Sequence, residues 1–298
     1  MRKLFNAVKS VKKEENFSFS KHTTYGLGGT AKAAYFPKNE PEAVAVYEYL
    51  QSSGENFLIL GNGSNLLVSD KSYDGYVIST KYLQGIEIEG NCLKILSGTT
   101  VRQLLSFCLK NGISGFEYLA GIPATIGGLV AMNGGTSDTR ISGNVLSVSI
   151  FDGKLRELSN KNCKFGNKHS TMSDITALIL AVYAVFSREK PEKVQENINK
   201  FLDKRKAQPN GKSCGCVFKN PEGLSAGKLI DEVGLKGVKI GGAEVSRDHA
   251  NFIINNGGSA GDVHTLIQYV KKSVYGKTGI NLEEEVIYIG EFNDKLNC

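Results

Sequence analysis

Residues 115 to 135 read GFEYLAGIPATIGGLVAMNGG, a stretch that is apolar and dense in glycine at once. A surface linker is polar. An apolar glycine-rich segment instead lets the backbone lie close against a flat neighbour and offers N–H groups at the contact. Two neighbours suit it: a partly apolar ligand that carries phosphates, or a helix and strand packed tightly together. Either way the segment belongs inside a folded unit. A second glycine-rich loop, Gly61-Asn62-Gly63-Ser64-Asn65, follows the short apolar run Phe57 to Leu60. Its glycines let successive N–H groups turn inward around an anion such as pyrophosphate, and a plain turn is the competing reading. The loop has neither the GxGxxG spacing of a dinucleotide fingerprint nor the GK[ST] ending of a P-loop, so neither standard nucleotide site applies.

Bulk properties narrow the class. With 298 residues, 41% hydrophobic and 22% charged, the chain reads as a folded globular protein of two or three domains. The longest apolar runs, such as Ala177 to Phe186, fall far short of the roughly 20 residues that cross a membrane. The opening MRKLFNAVKSVKKEENF lacks the apolar core of a secretory signal. A cytoplasmic location without a membrane partner is expected. The net charge of +6 is spread along the chain without a dense Lys/Arg tract, which argues against nucleic acid and suits an anionic small molecule.

Six cysteines are too few for a disulfide scaffold in a chain of this length, and the four histidines are dispersed. No CxxC or HxxxH spacing offers a zinc site, so no metal is expected. Cys214 and Cys216, one residue apart in SCGCVFKN, therefore read as packing atoms or as chemistry rather than as a clip.

Periodicity places a helix at Pro41 to Ser53, stopped by Gly54, and a strand at Phe57 to Leu60. Strands follow at 76–79, 86–89, 92–96, 147–151 and 154–158, with a turn at Asp152-Gly153 and a helix at 101–110. After the strand 177–186 comes an amphipathic helix, 191–207, opened by Pro191 and carrying Val194, Ile198, Phe201 and Leu202 on one face. A domain boundary is expected near 187–195. Beyond it come a strand at 216–219, a helix at 226–233, a strand at 251–255, a helix at 262–275 and a strand at 285–289.

The order of motifs resembles the UDP-N-acetylenolpyruvoylglucosamine reductase family. The likeness runs from HTTYGLGG (22–29) through LILGNGSNLLVSD (58–70) and GFEYLAGIPATIGGLVAMNGG. It continues through SCGCVFKNPEGLSAGKLIDEVGLKG, GGAEVSRDHANFIIN and LEEEVIYIG. Each loop alone is weak; their joint order over residues 17 to 290 is specific. The space between Phe186 and Cys216 holds one helix, so the chain resembles the shorter subclass, without a tyrosine-bearing insertion.

The resemblance implies an α+β protein with a PCMH or vanillyl-alcohol-oxidase-type FAD-binding part in two subdomains, 1–70 and 71–190, then a substrate-binding domain, 191–298. It implies non-covalent FAD held by Gly61, Asn62, Gly63, Ser64, Asn65 and Leu66. Gly121, Ile122, Pro123, Thr125, Gly127, Gly128, Asn133 and Gly134 complete that set. NADPH is the implied reductant, and the partner is a nucleotide-sugar substrate of peptidoglycan precursor synthesis. The oligomeric state stays open, with a monomer favoured. An oxidase of the same fold acting on a sugar or alcohol, and a catalytically weak UDP-sugar-binding protein, are the alternatives.

In the family, hydride passes from NADPH to FAD and on to C3 of an enolpyruvyl ether, and C2 takes a proton. The chemistry needs a positioned acid and groups that stabilise developing negative charge. The family's serine in GSxFKNP corresponds to Cys216, and a free thiol, with a pKa of about 8.5, is mostly protonated at neutral pH. Its carboxylate corresponds to Glu285. In an extended segment Glu283 and Glu285 share a face and Glu284 points the other way; on residues alone, 283–285 also reads as a solvated acidic cluster. The family arginine of FGYR corresponds to Lys168, which keeps the charge and loses the planar fork. Ala124 and Thr136-Ser137-Asp138 are further departures. Asn220 corresponds to a substrate-contacting asparagine, Lys219 is a phosphate contact on charge grounds, and the turn Ala226-Gly227-Lys228 offers N–H groups to a diphosphate.

Overall fold

The structure, a computed structural model, describes residues 7–292. By internal contacts the chain forms two compact units. The first comprises Met1–Glu15, Ala33–Asn62 and Gly75–Arg205; the second comprises Asn16–Lys32, Gly63–Asp74 and Lys206–Cys298.

The first unit is organised by a five-stranded antiparallel sheet in the order Leu155–Ser159, Val145–Phe151, Leu178–Val185, Cys92–Leu96, Ile86–Glu89. The outer hairpin turns at Asp152 to Lys154, where Asp152 N–H donates to the Lys154 carbonyl at 3.4 Å. On the sheet's apolar residues sits the helix Val101–Asn111. It is opened by a reciprocal Thr100/Gln103 cap and closed by Gly112 in the left-handed region. Leu93, Ile95, Leu104, Val148, Ile150 and Val182 bury together there. The helix Glu40–Ser52 adds Ala43, Val46, Tyr47 and Leu50 to a second cluster with Ile78, Phe151 and Leu178.

Lys12–Ser18, Thr30–Phe36, Tyr73–Ser79 and Phe57–Leu60 form a four-stranded sheet in that order. Within the first unit its last pair is parallel, Phe57 opposite Tyr76 and Leu60 opposite Ser79.

The apolar glycine stretch folds as a 3-10 turn, Glu117–Leu119, followed by a short helix, Ile126–Ala131. Ile126, Leu129 and Val130 join the first unit's main core, so tight packing accounts for part of that composition. The helix Pro191–Arg205 also belongs to this unit, because Val194 and Ile198 bury in the same core. The first unit therefore runs to Arg205, beyond the boundary expected near residue 190. Residues 16–32 and 63–74 group with the C-terminal part, an interleaving that a division into 1–70, 71–190 and 191–298 does not contain.

The second unit holds a three-stranded antiparallel sheet, Lys239–Ile240, Ala243–Val245, Ile253–Asn255. The helix Ala260–Thr278 buries Val263, Leu266, Ile267, Val270 and Val274 in this unit's core. Its start is capped by Ser259 and Asp262, and the Asp70 carboxylate accepts from Ala260 N–H at 3.1 Å and Gly261 N–H at 3.2 Å. Acidic acceptors there complement the partial positive charge of the helix start. Leu66–Val68 pairs in parallel with Ile287–Ile289. No helix among the described residues is long and apolar enough to cross a membrane.

Candidate functional site

In the second unit, the segment from Cys216 to Lys219 is held from both sides. Val217 N–H donates to the Asn251 carbonyl at 2.9 Å, Glu285 N–H donates to the Val217 carbonyl at 2.7 Å, and Lys219 N–H donates to the Glu283 carbonyl at 2.9 Å. These are single bridges, Cys216 to Phe252 and Phe218 to Glu284, in place of the continuous strand expected from the sequence. The side chain of Asn251 substitutes for a strand neighbour. Its Oδ1 accepts from Phe218 N–H at 2.9 Å, and its Nδ2 donates to the Phe218 carbonyl at 2.8 Å. Both residues are buried, so this one amide meets two backbone groups that water cannot reach.

Along the segment the two cysteines separate in environment. Cys214 is buried in the apolar core with Tyr25, Val217 and Val286, and Cys216 is half-buried. Burial is the largest influence on Cys214; contact with the Tyr25 hydroxyl lowers its pKa, nearby Glu285 and Cys216 raise it, and the net pushes the thiol up to about 12. Cys214 therefore stays a thiol and packs, and the backbone bond from Glu285 N–H to the Val217 carbonyl sets Glu285 beside the same segment.

The three glutamates part ways. Glu284 accepts from Lys271 Nζ at 2.7 Å and from Gln268 Nε2 at 3.3 Å, both on the helix Ala260–Thr278. Glu283 pairs with Lys219, so the Lys219 ammonium already has a carboxylate partner. The Glu285 carbonyl accepts from Asn65 Nδ2 at 2.9 Å, and Ile287 N–H donates to the Asn65 carbonyl at 3.0 Å. The loop portion from Gly63 to Leu66 is thus bonded to the chain that carries Glu285. Asn220 Oδ1 accepts from Ala226 N–H at 3.0 Å, and Ser225 Oγ accepts from Lys228 N–H at 3.3 Å. Two of the N–H groups read as diphosphate donors are consequently used by the fold.

In the first unit, Gly61 and Asn62 meet the apolar glycine stretch. Asn62 Nδ2 donates to the Pro123 carbonyl at 2.6 Å. A Cβ at Gly61 would lie 2.5 Å from Thr125 Oγ1, the atom that accepts from Gly128 N–H at 3.3 Å to start the helix Ile126–Ala131. A Cβ at Gly127 would lie 2.8 Å from Ser97 Cβ. The Ser97 hydroxyl is buried and lacks a protein partner. These glycines are taken up by protein packed closely on protein, and the unmet Ser97 hydroxyl is the group here that suits a ligand acceptor. Asn133, in the left-handed region at φ 44°, is committed to the scaffold. Its Nδ2 donates to the Gly166 carbonyl at 2.8 Å and its Oδ1 accepts from Ser142 N–H at 3.3 Å.

Those bonds tie the stretch to the turn that carries Lys168, itself at φ 56°. In the same turn Gly166 bridges His169, and Arg140 Nη2 donates to Asn167 Oδ1 at 2.9 Å. Cys216 and Glu285 thus share the second unit, and Lys168 lies in the first. Sequence reasoning missed Asn251 and Arg140. For Asn251 a signal existed, a polar residue inside the apolar run ANFII; for Arg140 there was none.

His249 adds a pH dependence. Its Nδ1 accepts from Asn251 N–H at 3.3 Å, its ring meets Phe252 edge-on at 4.9 Å, and burial lowers its pKa below the ordinary 6.5. The unfolded chain then binds the proton first as pH falls, so stability is full above pH 6.5 and declines below it. Urea midpoints should drop between pH 7.5 and pH 5.5, about one pH unit either side of an ordinary histidine. His249→Asn, which keeps an acceptor near Nδ1, should flatten the slope.

Residues 207–289 match the family described as UDP-N-acetylenolpyruvoylglucosamine reductase, C-terminal domain, and residues 31–158 match a family described as FAD binding domain. The UDP-N-acetylenolpyruvoylglucosamine reductase of Prochlorococcus marinus strain NATL2A is 38% identical over 290 residues, covering 95% of this chain and 100% of that protein. The protein of the same name from Moorella thermoacetica is 39% identical over 281 residues, covering 93% of each. The crystal structure of UDP-N-acetylenolpyruvylglucosamine reductase from Thermus caldophilus superposes with a TM-score of 0.80 at 32% identity, over 94% of this chain and 99% of that one. Gly61, Asn62 and the residues from Gly121 to Gly134 all fall inside the FAD-binding match. The chain is thus an α+β oxidoreductase with an FAD-binding domain, and it belongs to the UDP-N-acetylenolpyruvoylglucosamine reductase family.

Proposed function

We propose that the chain is a cytoplasmic, NADPH-dependent reductase of UDP-N-acetylglucosamine enolpyruvate, forming UDP-N-acetylmuramate for peptidoglycan precursor synthesis, with Cys216 as its acid. One observation carries the reading: a half-buried thiol on a segment fixed from both sides, with Glu285 N–H donating to the carbonyl of its neighbour Val217 at 2.7 Å. FAD, held without a covalent bond, supplies the two-electron carrier between the nicotinamide and the enolpyruvyl carbon.

The chain's own residues supply the remainder. Cys216 Sγ–H donates the proton that C2 requires once C3 has taken hydride. The Glu285 carboxylate near the 214–216 segment opposes thiolate formation by like-charge repulsion, which keeps a donor in place. Lys168 carries the positive charge that favours the developing enolate and the carboxylate beside it. Asn220 keeps Nδ2 for the substrate while its Oδ1 holds Ala226. Lys219, paired with Glu283, orders this edge, and contact with a substrate phosphate requires it to exchange partners. Gly61, Asn62, Gly63, Ser64, Asn65 and Leu66, with Gly121, Ile122, Pro123, Thr125, Gly127, Gly128, Asn133 and Gly134, form the cofactor loops.

An anaerobic two-step experiment tests this. Purified protein should bind FAD and be bleached by NADPH, and the oxidised spectrum should return on adding the enolpyruvyl substrate. Rapid reoxidation by oxygen with no response to the nucleotide sugar would indicate an oxidase. Nucleotide-sugar binding without turnover would indicate a binding protein. Lys168→Ala should raise the substrate KM about tenfold, the worth of one charge-assisted bond, and leave flavin reduction by NADPH unchanged.

A further inference from the structure

Arg140 precedes the 3-10 turn Ile141–Gly143 and bridges Gly135 at the end of the apolar glycine stretch. One arm of its guanidinium is committed, Nη2 donating to Asn167 Oδ1 at 2.9 Å. The other arm, Nη1, is buried and has no hydrogen-bond partner. Among the described residues no carboxylate forms an ion pair with it. Arg140 is half-exposed, but a donor nitrogen of a guanidinium closed off from water and left unmet is costly, and native proteins seldom keep one without a water, ion or ligand to complete it.

The surroundings fix where that donor sits. Asn133 bolts the 140–143 loop to the 166–168 turn by donating to the Gly166 carbonyl and accepting from Ser142 N–H. Asn167, which anchors Arg140, is the residue immediately before Lys168. The guanidinium and the lysine therefore stand on two turns locked to each other. A lysine is a point charge, whereas a guanidinium offers a flat array of donors that matches a carboxylate.

We propose that Arg140 binds the carboxylate of the enolpyruvyl group through Nη1, so that anion recognition is divided between Arg140 and Lys168. This rests on the substrate reading above. The chemistry recognised is an oxyanion, and three could meet it: the substrate carboxylate, the nucleotide-sugar diphosphate and the cofactor's phosphates.

Binding to oxidised, FAD-loaded protein without NADPH separates them. Calorimetry would compare the enolpyruvyl substrate with UDP-N-acetylglucosamine, which lacks the carboxylate. Arg140→Gln should lose about 10- to 100-fold affinity for the first, as expected for a charge-assisted bond. It should lose less than about threefold for the second, with FAD content unchanged. In turnover the loss should appear in KM more than in kcat.

Equal loss for both ligands would move Arg140 to the diphosphate, reduced FAD content would move it to the cofactor, and no loss would leave it without a ligand; each overturns the proposal. Arg140→Lys keeps the charge without the fork, should fall between wild type and Arg140→Gln, and carries the comparison if the glutamine variant does not fold. Wild-type protein that does not prefer the carboxylate-bearing ligand would refute the substrate reading itself and this inference with it.

Discussion

Cys216→Ala is expected to reduce its flavin with NADPH at the wild-type rate and then to stall, the second half-reaction slowing by about 10²- to 10⁴-fold, the usual worth of a positioned general acid. Stopped-flow absorbance of the flavin, with the enolpyruvyl substrate added anaerobically to reduced protein, reads the two steps separately. Cys216→Ser should restore the second step to within about tenfold, because a hydroxyl at that position can still donate. The two donors should differ in pH response. A thiol loses its proton on the alkaline side of neutrality and an alcohol does not, so an alkaline limb should be present with cysteine and absent with serine. Normal turnover by Cys216→Ala would place the acid elsewhere. Cys214 offers no substitute, since burial keeps it a thiol inside the apolar core with a pKa of about 12.

Local physics made much of the fold legible. The helix at Val101–Asn111 carries its own start and stop signals in Thr100, Gln103 and Gly112, and the strand Phe57–Leu60 is an apolar run between Asn56 and the glycine loop. Failures came where distant contacts decide. Lys12–Ser18 is mostly exposed and charged, so neither alternation nor hydrophobicity announces a strand; pairing in a sheet makes it one. The helix Ile126–Ala131 contains two glycines, which lower helix propensity and disguise it as a loop. The grouping of 16–32 and 63–74 with the C-terminal part rests on long-range bonds such as Asn65 to the Glu285 carbonyl, which no window of sequence contains.

The site divides in the same way. As proposals, Cys216, Glu285 and Lys168 were legible because motif order carries them. Arg140 was not, because its interest lies in an unmet arm beside a residue 27 positions away. In sequence the loop Gly61 to Asn65 reads as a phosphate cradle or a plain turn. In the structure Gly61 and Asn62 belong to the first unit and Gly63 onward to the second, so its halves answer to different neighbours.

Asn251 shows most directly how a buried amide holds a chain segment in place. In Asn251→Leu the Phe218 N–H and carbonyl both lose their partner in a site closed to water. At about 1–3 kcal/mol for each unmet group, the loss is about 2–6 kcal/mol, readable as a lower urea midpoint at unchanged slope. The second half-reaction should slow as well, because Phe218 lies two residues from Cys216 and fixes that segment's path. Asn251→Asp separates the two bonds. Its carboxylate still accepts from Phe218 N–H and opposes the Phe218 carbonyl with a second lone pair, so it should be destabilised at neutral pH. Repulsion and burial raise the folded-state pKa above the unfolded value of about 3.9, so stability lost at neutral pH returns as pH falls through the folded pKa and the acid becomes a donor. That trend opposes the one expected from His249. An Asn251→Asp protein with the wild-type pH slope would show that the Nδ2 donor to Phe218 contributes nothing, and that Cys216 is held by the backbone bridges alone.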